Sequence, residues 1–249
     1  MILIKGADEI AWMAEAGRIV AETFEAVREG IVPGVSTEEL DRLAHDLILK
    51  KGGEAAFKGY RGYPASICSS VNEQVVHGIP SGRKLRQGDI VSVDLGVRYK
   101  GFYGDAAVTY AVGEVSPAAR MLMRTTEEAL WMGIEQAVEG NRVSDISHAI
   151  QKHAEGRGFS MVRSFVGHGI GRALHEEPQV PNFGSPGKGP RLMKGMALAI
   201  EPMVNAGGWQ VRVLEDGWTA VTVDGSLSAH YEHTIVVTGA QPAVLTKLL

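Results

Sequence analysis

The sequence repeats its own pattern at a spacing of 107 to 108 residues, which implies two similar units arranged about a common centre. Leu85-Arg86-Gln87-Gly88-Asp89-Ile90-Val91-Ser92-Val93-Asp94 matches Leu192-Met193-Lys194-Gly195-Met196-Ala197-Leu198-Ala199-Ile200-Glu201 in pattern. Each copy predicts a turn feeding a buried strand that ends in a carboxylate. Further upstream, Val35-Ser36 corresponds to Val143-Ser144, so the repeat includes helices as well as strands.

In the first unit Ile10, Met13, Gly17, Val20, Phe24 and Val27 recur at helical spacing. A second helix opens at Ser36 with Glu39 three residues on, the pattern of a capping box, and Leu40, Leu43, Leu47 and Ile48 form its apolar face. In the second unit Ser116-Pro117 predicts an N-cap followed by proline at the first helical position, leading into Leu122, Met123, Leu130 and Ile134. Ser144 is then expected to cap the fourth helix. The fold class this implies is α+β, with two related helix-helix-strand halves, roughly 1–112 and 113–249, facing each other across a site built from strands.

The strands carry acids where apolar residues belong. Asp94 ends Ile90-Val91-Ser92-Val93, and Glu201 ends Ala197-Leu198-Ala199-Ile200. A carboxylate buried alone costs more than folding supplies, so each needs a cation or a proton. One such acid could belong to a salt bridge; two at equivalent positions of a repeat weaken that explanation. The strand of Asp94 is expected to turn around Tyr99-Lys100-Gly101 and return through Phe102 to Val112. A hairpin centred there pairs residues whose numbers sum to about 200, which places Asp94 and Asp105 nearly opposite, with Cβ atoms about 5 Å apart. A shared divalent ion relieves their repulsion, whereas a slipped register puts one aspartate in solvent.

Glu232 precedes the β-branched run Thr234-Ile235-Val236-Val237, and glycines flank His168 on both sides, allowing close backbone approach. Taken alone, either residue could be structural. Together, four acids and an imidazole suit manganese, iron(II), cobalt or zinc, and are enough for two divalent ions. Other chemistries lack their motifs: there is no Gly-x-Ser-x-Gly elbow, no phosphate loop and no His-Glu-x-x-His helix.

Composition narrows the setting. Cys68 is the only cysteine, so no internal disulfide and no thiolate-rich zinc site is available, in keeping with a cytoplasmic protein. Apolar runs such as 196–200 fall well short of the roughly 20 residues of a membrane span. The N-terminus has no signal-peptide pattern, since Lys5, Asp8 and Glu9 interrupt it. A net charge of −4 gives no general reason to bind nucleic acid, and Arg83, Lys84 and Arg86 are expected to form a solvated loop.

On Asn72-Glu73, Val76-His77-Gly78-Ile79-Pro80, Gly104-Asp105, Gly167-His168-Gly169-Ile170-Gly171, His175-Glu176-Glu177-Pro178, Glu201-Pro202-Met203, Asp216-Gly217-Trp218-Thr219 and Tyr231-Glu232-His233-Thr234, the chain resembles the type I methionine aminopeptidases of the compact bacterial kind, without an N-terminal extension. The resemblance covers essentially the whole length and implies a pita-bread fold, a single catalytic domain over 1–249, with an antiparallel sheet holding the metal site. It implies two divalent metal ions on Asp94, Asp105, His168, Glu201 and Glu232, with Glu201 also moving protons. His77 and His175 are implied to act on the reacting amide, and Tyr60, Tyr63, Cys68 and Trp218 to receive the methionine side chain. The implied reaction is removal of the initiator methionine from nascent polypeptides with a small second residue, by metal-activated water.

His168 and Glu201 are separated by only 33 residues, leaving no room for the insertion of type II enzymes, and the chain length leaves none for the large N-terminal domain of aminopeptidase P or prolidase. A binding protein of the same fold that has lost catalysis is the rival reading; such relatives lose metal ligands, and none is lost here. His230 and His233 are weaker site candidates. The sequence departs from the commonest bacterial pattern at Phe57, where a small cysteine is frequent, and at Leu174, where phenylalanine is frequent. A monomer is expected, and contact with the ribosome through Lys188, Arg191 and Lys194 rests on charge alone.

Overall fold

The computed structural model describes residues 1–247. Helices α1 (Ala7–Gly30) and α2 (Thr37–Lys50) lead into strands β1 (Glu54–Ala55), β2 (Ile67–Val71), β3 (Gln74–Val76), β4 (Ile90–Tyr99) and β5 (Phe102–Ala111). Helices α3 (Pro117–Glu135) and α4 (Val143–Glu155) open the second half. They are followed by β6 (Ser160–Met161), β7 (Gly167–Gly169), β8 (Glu176–Val180), β9 (Ala197–Ile200) and β10 (Met203–Asn205), then β11 (Val211–Val213), β12 (Ala220–Thr222), β13 (Ser228–His230), β14 (Glu232–Val236) and β15 (Ala243–Val244). Among the described residues no helix is long and apolar enough to cross a membrane.

The local signals act largely as the sequence implies. Ser36 and Glu39 form the capping box, Ser36 N donating to Glu39 Oε2 at 2.7 Å and Glu39 N to Ser36 Oγ at 3.3 Å. Ser116 Oγ accepts from Ala119 N, with Pro117 in the first turn of α3. Two expectations fail. The fourth helix has Arg142 at its N-cap, whose N–H donates at 2.7 Å to the carboxylate of Asp145 at the third helical position, the part that Glu39 plays on α2. Ser144 Oγ instead donates to Lys188 O. On α2 the buried stripe is Leu40, Ala44 and Ile48, while Leu43 lies 39% exposed, because the helix rests on its neighbours along a narrower line than its leucines span.

The main sheet runs β1-β4-β5-β14-β9-β7-β8, with β2 also paired to β4 and β15 to β14. One apolar core joins α1 and α2 to the β4 and β5 side through Val20, Phe24, Leu40, Val93 and Leu95. A second joins α3 and α4 to β9 and β14 through Leu122, Leu130, Ile146, Leu198 and Ile235. The repeat is visible in detail, since bridges Ser36↔Lys84 and Arg142↔Arg191 occupy equivalent places in the two halves. This is an α+β pita-bread arrangement with its helices packed against a largely antiparallel sheet.

The β4–β5 hairpin corrects the expected register. Its loop is the two residues Lys100 and Gly101, both with positive φ (48° and 85°), as a type I′ turn requires. Tyr99 therefore pairs with Phe102, Asp94 with Ala107, and Gly96 with Asp105. The two aspartates are diagonal neighbours rather than opposite partners. They still share one face, because the slip is by two residues and preserves the alternation of side chains.

Candidate metal centre

Strand register gathers the four acids and the imidazole into two adjacent rows on one face of the sheet. One row crosses Cys68, Asp94, Ala107 and Glu232, each the cross-strand partner of the last. Continued one step past the pair His233↔Ile200, the β14–β9 register sets Glu201 beside Glu232. The second row crosses Gly96, Asp105, Thr234, Ala199 and His168. Thr234 Oγ1 accepts from Asp105 N at 2.9 Å and donates to Asp105 O at 2.8 Å, locking β5 to β14 at this point. The alanines between the ligands leave space above the sheet.

Glycines beside His168 serve close approach. A Cβ at position 167 would lie 2.5 Å from Ala199 O, and one at 169 would lie 2.2 Å from Glu177 O. His168 Nδ1 donates to Gly169 O at 2.8 Å, which leaves the Nε2 lone pair pointing into the site, 3.4 Å from Glu201 Oε1. A metal-ligating imidazole is commonly oriented in this way by its other nitrogen.

The electrostatics demand a cation. Asp94 Oδ1, Asp105 Oδ1 and Glu232 Oε1 are buried without a hydrogen-bond partner among the described residues. Burial, reinforced by their mutual repulsion, pushes Asp94, Glu201 and Glu232 well above the usual carboxylate range, and burial pushes Asp105 up to about 7. Burial also lowers His168 to about 4, which keeps its imidazole neutral and able to ligate. Donor atoms of Asp105, His168 and Glu232 lie within 4.8 Å of one another, as do those of Glu201, His230 and Glu232. Unpartnered hard oxygens beside a neutral nitrogen fit divalent transition metals, so the residues present suit the implied cofactor.

One cavity is lined by all five candidate ligands, by His77 and His175, and by Tyr60, Tyr63, Cys68 and Trp218. His175 sits at its exposed mouth, its ring stacked on Tyr60 at 5.2 Å and its Nδ1 2.8 Å from the Tyr60 hydroxyl. Desolvation of its inner edge, with His168, Arg61 and His77 nearby, pulls its pKa down to about 3. His77 is half-buried with φ of 60°, and its ring meets the edges of Phe165 and Trp218. Burial lowers its pKa too, so both histidines offer neutral N–H donors. Tyr63 and Trp218 pack edge to face at 5.1 Å. Phe57 and Leu174 line the same cavity.

The site also includes Arg61, which the sequence does not single out, and His230, expected there as a weaker candidate. Arg61, in a left-handed conformation with its guanidinium 5.4 Å from the Tyr60 ring centre, carries no sequence signal. His230 lies two residues before Glu232, and its buried Nε2 is 3.9 Å from Glu201 Oε2.

Comparison with known proteins agrees with this geometry. The profile of metallopeptidase family M24 matches residues 11–239. A methionine aminopeptidase of Clostridium perfringens is 54% identical over 246 residues, covering 99% of both chains. The crystal structure of methionine aminopeptidase from Thermotoga maritima is 52% identical and superposes with a TM-score of 0.98 over 99% of this chain and 100% of that one. A Xaa-Pro dipeptidase of Bacillus anthracis is more distant, at 26% identity and a TM-score of 0.81, and this chain spans only 62% of it. The chain belongs to metallopeptidase family M24 and, within it, to the methionine aminopeptidases.

Proposed function

We propose that the chain removes N-terminal methionine with two divalent ions, which Asp94, Asp105, His168, Glu201 and Glu232 would hold. The observation that carries this reading is the set of unpartnered buried oxygens on Asp94, Asp105 and Glu232, with donor atoms of Asp105 and Glu232 within 4.8 Å of a His168 ring nitrogen. Two such ions, when bound, lower the pKa of a shared water toward neutrality and polarise a carbonyl. Cobalt, manganese, iron(II) and zinc all suit the donor set.

The protein's own groups do the rest. Glu201, by family resemblance, accepts the proton of the attacking water and returns it to the leaving amine. His77 and His175 donate hydrogen bonds to the reacting amide and stabilise the charge that develops on its oxygen. Tyr60, Tyr63, Cys68 and Trp218 enclose the methionine side chain, whose polarizable sulfur packs well against aromatic edges. The substrates are nascent polypeptides with a small second residue, met by a monomer in the cytoplasm. Lys188, Arg191 and Lys194 are exposed and offer positive charge toward a ribosomal surface.

The test is chelation followed by return of manganese or cobalt, with hydrolysis of a Met-Gly-Met peptide measured alongside metal content. Activity should vanish and return with two equivalents of metal. Protein that takes up no divalent ion and releases no methionine would overturn this function.

A further inference from the structure

We propose that His230 is a positioning residue for Glu201, donating its Nε2–H to the outer carboxylate oxygen and thereby fixing which oxygen faces the second ion. The inference rests on the proposed ion-binding role of Glu201 and adds a residue outside the five ligands.

Glu201 lies between two imidazoles that face different oxygens. His168 Nε2 is 3.4 Å from Oε1, and His230 Nε2 is 3.9 Å from Oε2. The two nitrogens differ chemically. His168 gives its proton to Gly169 O through Nδ1, so a lone pair faces Oε1, and two electron-rich atoms meeting there call for a cation between them. His230 Nε2 is buried without a hydrogen-bond partner among the described residues, in a side chain only 2% exposed. A buried ring nitrogen beside a carboxylate oxygen is satisfied by being the protonated one.

The ring is held on a fixed stretch of backbone. His230 N donates to Thr109 Oγ1 at 2.9 Å, and Thr109 Oγ1 donates to His230 O at 2.8 Å. Ser92 Oγ lies 2.8 Å from the same threonine oxygen, tying the arrangement to the strand that carries Asp94. Closing the 3.9 Å between His230 Nε2 and Glu201 Oε2 to ordinary N–H···O distance takes a shift of about 1 Å. His230 thus fixes the carboxylate against rotation and strengthens the second ion position without contacting the ion.

The experiment titrates Co²⁺ into chelator-stripped wild type, His230→Leu and His230→Gln by calorimetry, records the Co(II) visible spectrum, and follows thermal melting of each metal-free protein. Leucine removes the donor, whereas glutamine restores an N–H of similar reach. The expected result is that His230→Leu weakens the second ion about tenfold or more, while His230→Gln stays within about threefold of wild type, with the Co(II) spectrum of the glutamine variant unchanged. Equal binding by wild type and His230→Leu would overturn the role of His230 and leave the two-ion reading intact. Equal weakening in both variants, with an altered Co(II) spectrum, would also overturn it by making His230 a direct ligand. A wild type that binds no second equivalent would overturn the two-ion reading and this inference with it.

Discussion

Lys5 and Glu176, 171 residues apart in sequence, form a buried ion pair beneath the loop that carries His175. Glu176 Oε1 also accepts from Arg172 N at 2.6 Å and Ala173 N at 3.1 Å, so this one carboxylate organises the whole turn before His175. Lys5 is fixed in its turn by its backbone N–H to Gly195 O at 2.8 Å. Gly171 makes the approach possible, since a Cβ there would lie 2.1 Å from Lys5 Cε. The start of the chain thereby holds one wall of the metal cavity.

Replacing one member of a buried pair leaves the other charge uncompensated, so Lys5→Met should cost about 3 kcal/mol in urea unfolding. It should also lower kcat, by loosening the loop under His175. The double variant Lys5→Met/Glu176→Gln should recover part of the stability. A single variant as stable as wild type would mean that the two backbone donors satisfy Glu176 without the lysine.

Asp105→Asn should reduce turnover to near background and lower the metal content, because it removes a charge from the proposed ion-binding cluster. The fold should persist, since the backbone of Asp105 is secured on both its N–H and its carbonyl by Thr234. Far-UV circular dichroism and elemental analysis check the two halves of this expectation. Near-normal turnover with two tightly bound ions would remove Asp105 from the ligand set.

His175→Ala should lower kcat about 10²-fold or more while metal stays bound, because its proposed contact is to the developing oxyanion rather than to an ion. Tyr60→Phe leaves the ring stack and deletes only the hydroxyl 2.8 Å from Nδ1. Its effect should be smaller, about tenfold, in line with the loss of one hydrogen bond. Metal loss in proportion to activity in either variant would place His175 among the ligands instead.

Metal and protons compete for the same acids. In the metal-free fold burial raises Asp105 to about 7, and burial with mutual repulsion raises Asp94, Glu201 and Glu232 well above the usual carboxylate range. A raised carboxylate binds its proton more tightly folded than unfolded, so the contribution is favourable at low pH and fades as pH rises from about 4 through about 7. The metal-free protein should lose thermal stability across that window. The rise in Tm on adding manganese should therefore be larger at about pH 7.5 than at about pH 5.5. A metal-induced rise that shrinks with increasing pH would contradict the burial of these acids around the ions.

The acids were legible in the sequence because a carboxylate ending an apolar strand has few explanations, and because the repeat put Asp94 and Glu201 in equivalent places. Their common face was legible too. The sequence centres the hairpin near Lys100, whereas the loop is Lys100-Gly101; Asp105 therefore stands two residues from Ala107, the partner of Asp94, which changes partners and spares the face. The cap at Arg142 was missed because Ser144 looked equivalent to Ser36, while the acid that closes the turn, Asp145, lies one residue further on. Lys5 with Glu176, Arg61 under Tyr60 and His230 beside Glu201 depend on contacts between distant segments, and no local period encodes them.

The cavity wall bears on specificity. Phe57 and Leu174 both line the cavity and are 8% and 2% exposed, so the bulk added at one position and removed at the other redraws its wall. Phe57, Tyr63, Cys68 and Leu174 belong to one apolar cluster, against which Tyr60 and Trp218 pack, and this should favour an unbranched thioether at the first position. The kcat/KM of peptides bearing Met, norleucine, Leu or Ala at that position should fall in the order Met, norleucine, then the other two. Compounds that attack a thiol at position 57 should fail, since Phe57 has none. Cys68 is the sole thiol, 4% exposed, and burial together with the Asp94 charge pushes its pKa well up, so thiol reagents should modify it slowly. Bound methionine should slow that modification further by covering the cavity wall. Preference for Leu or Ala over Met, or rapid modification of Cys68 unaffected by methionine, would show that the side-chain pocket lies elsewhere than on this wall.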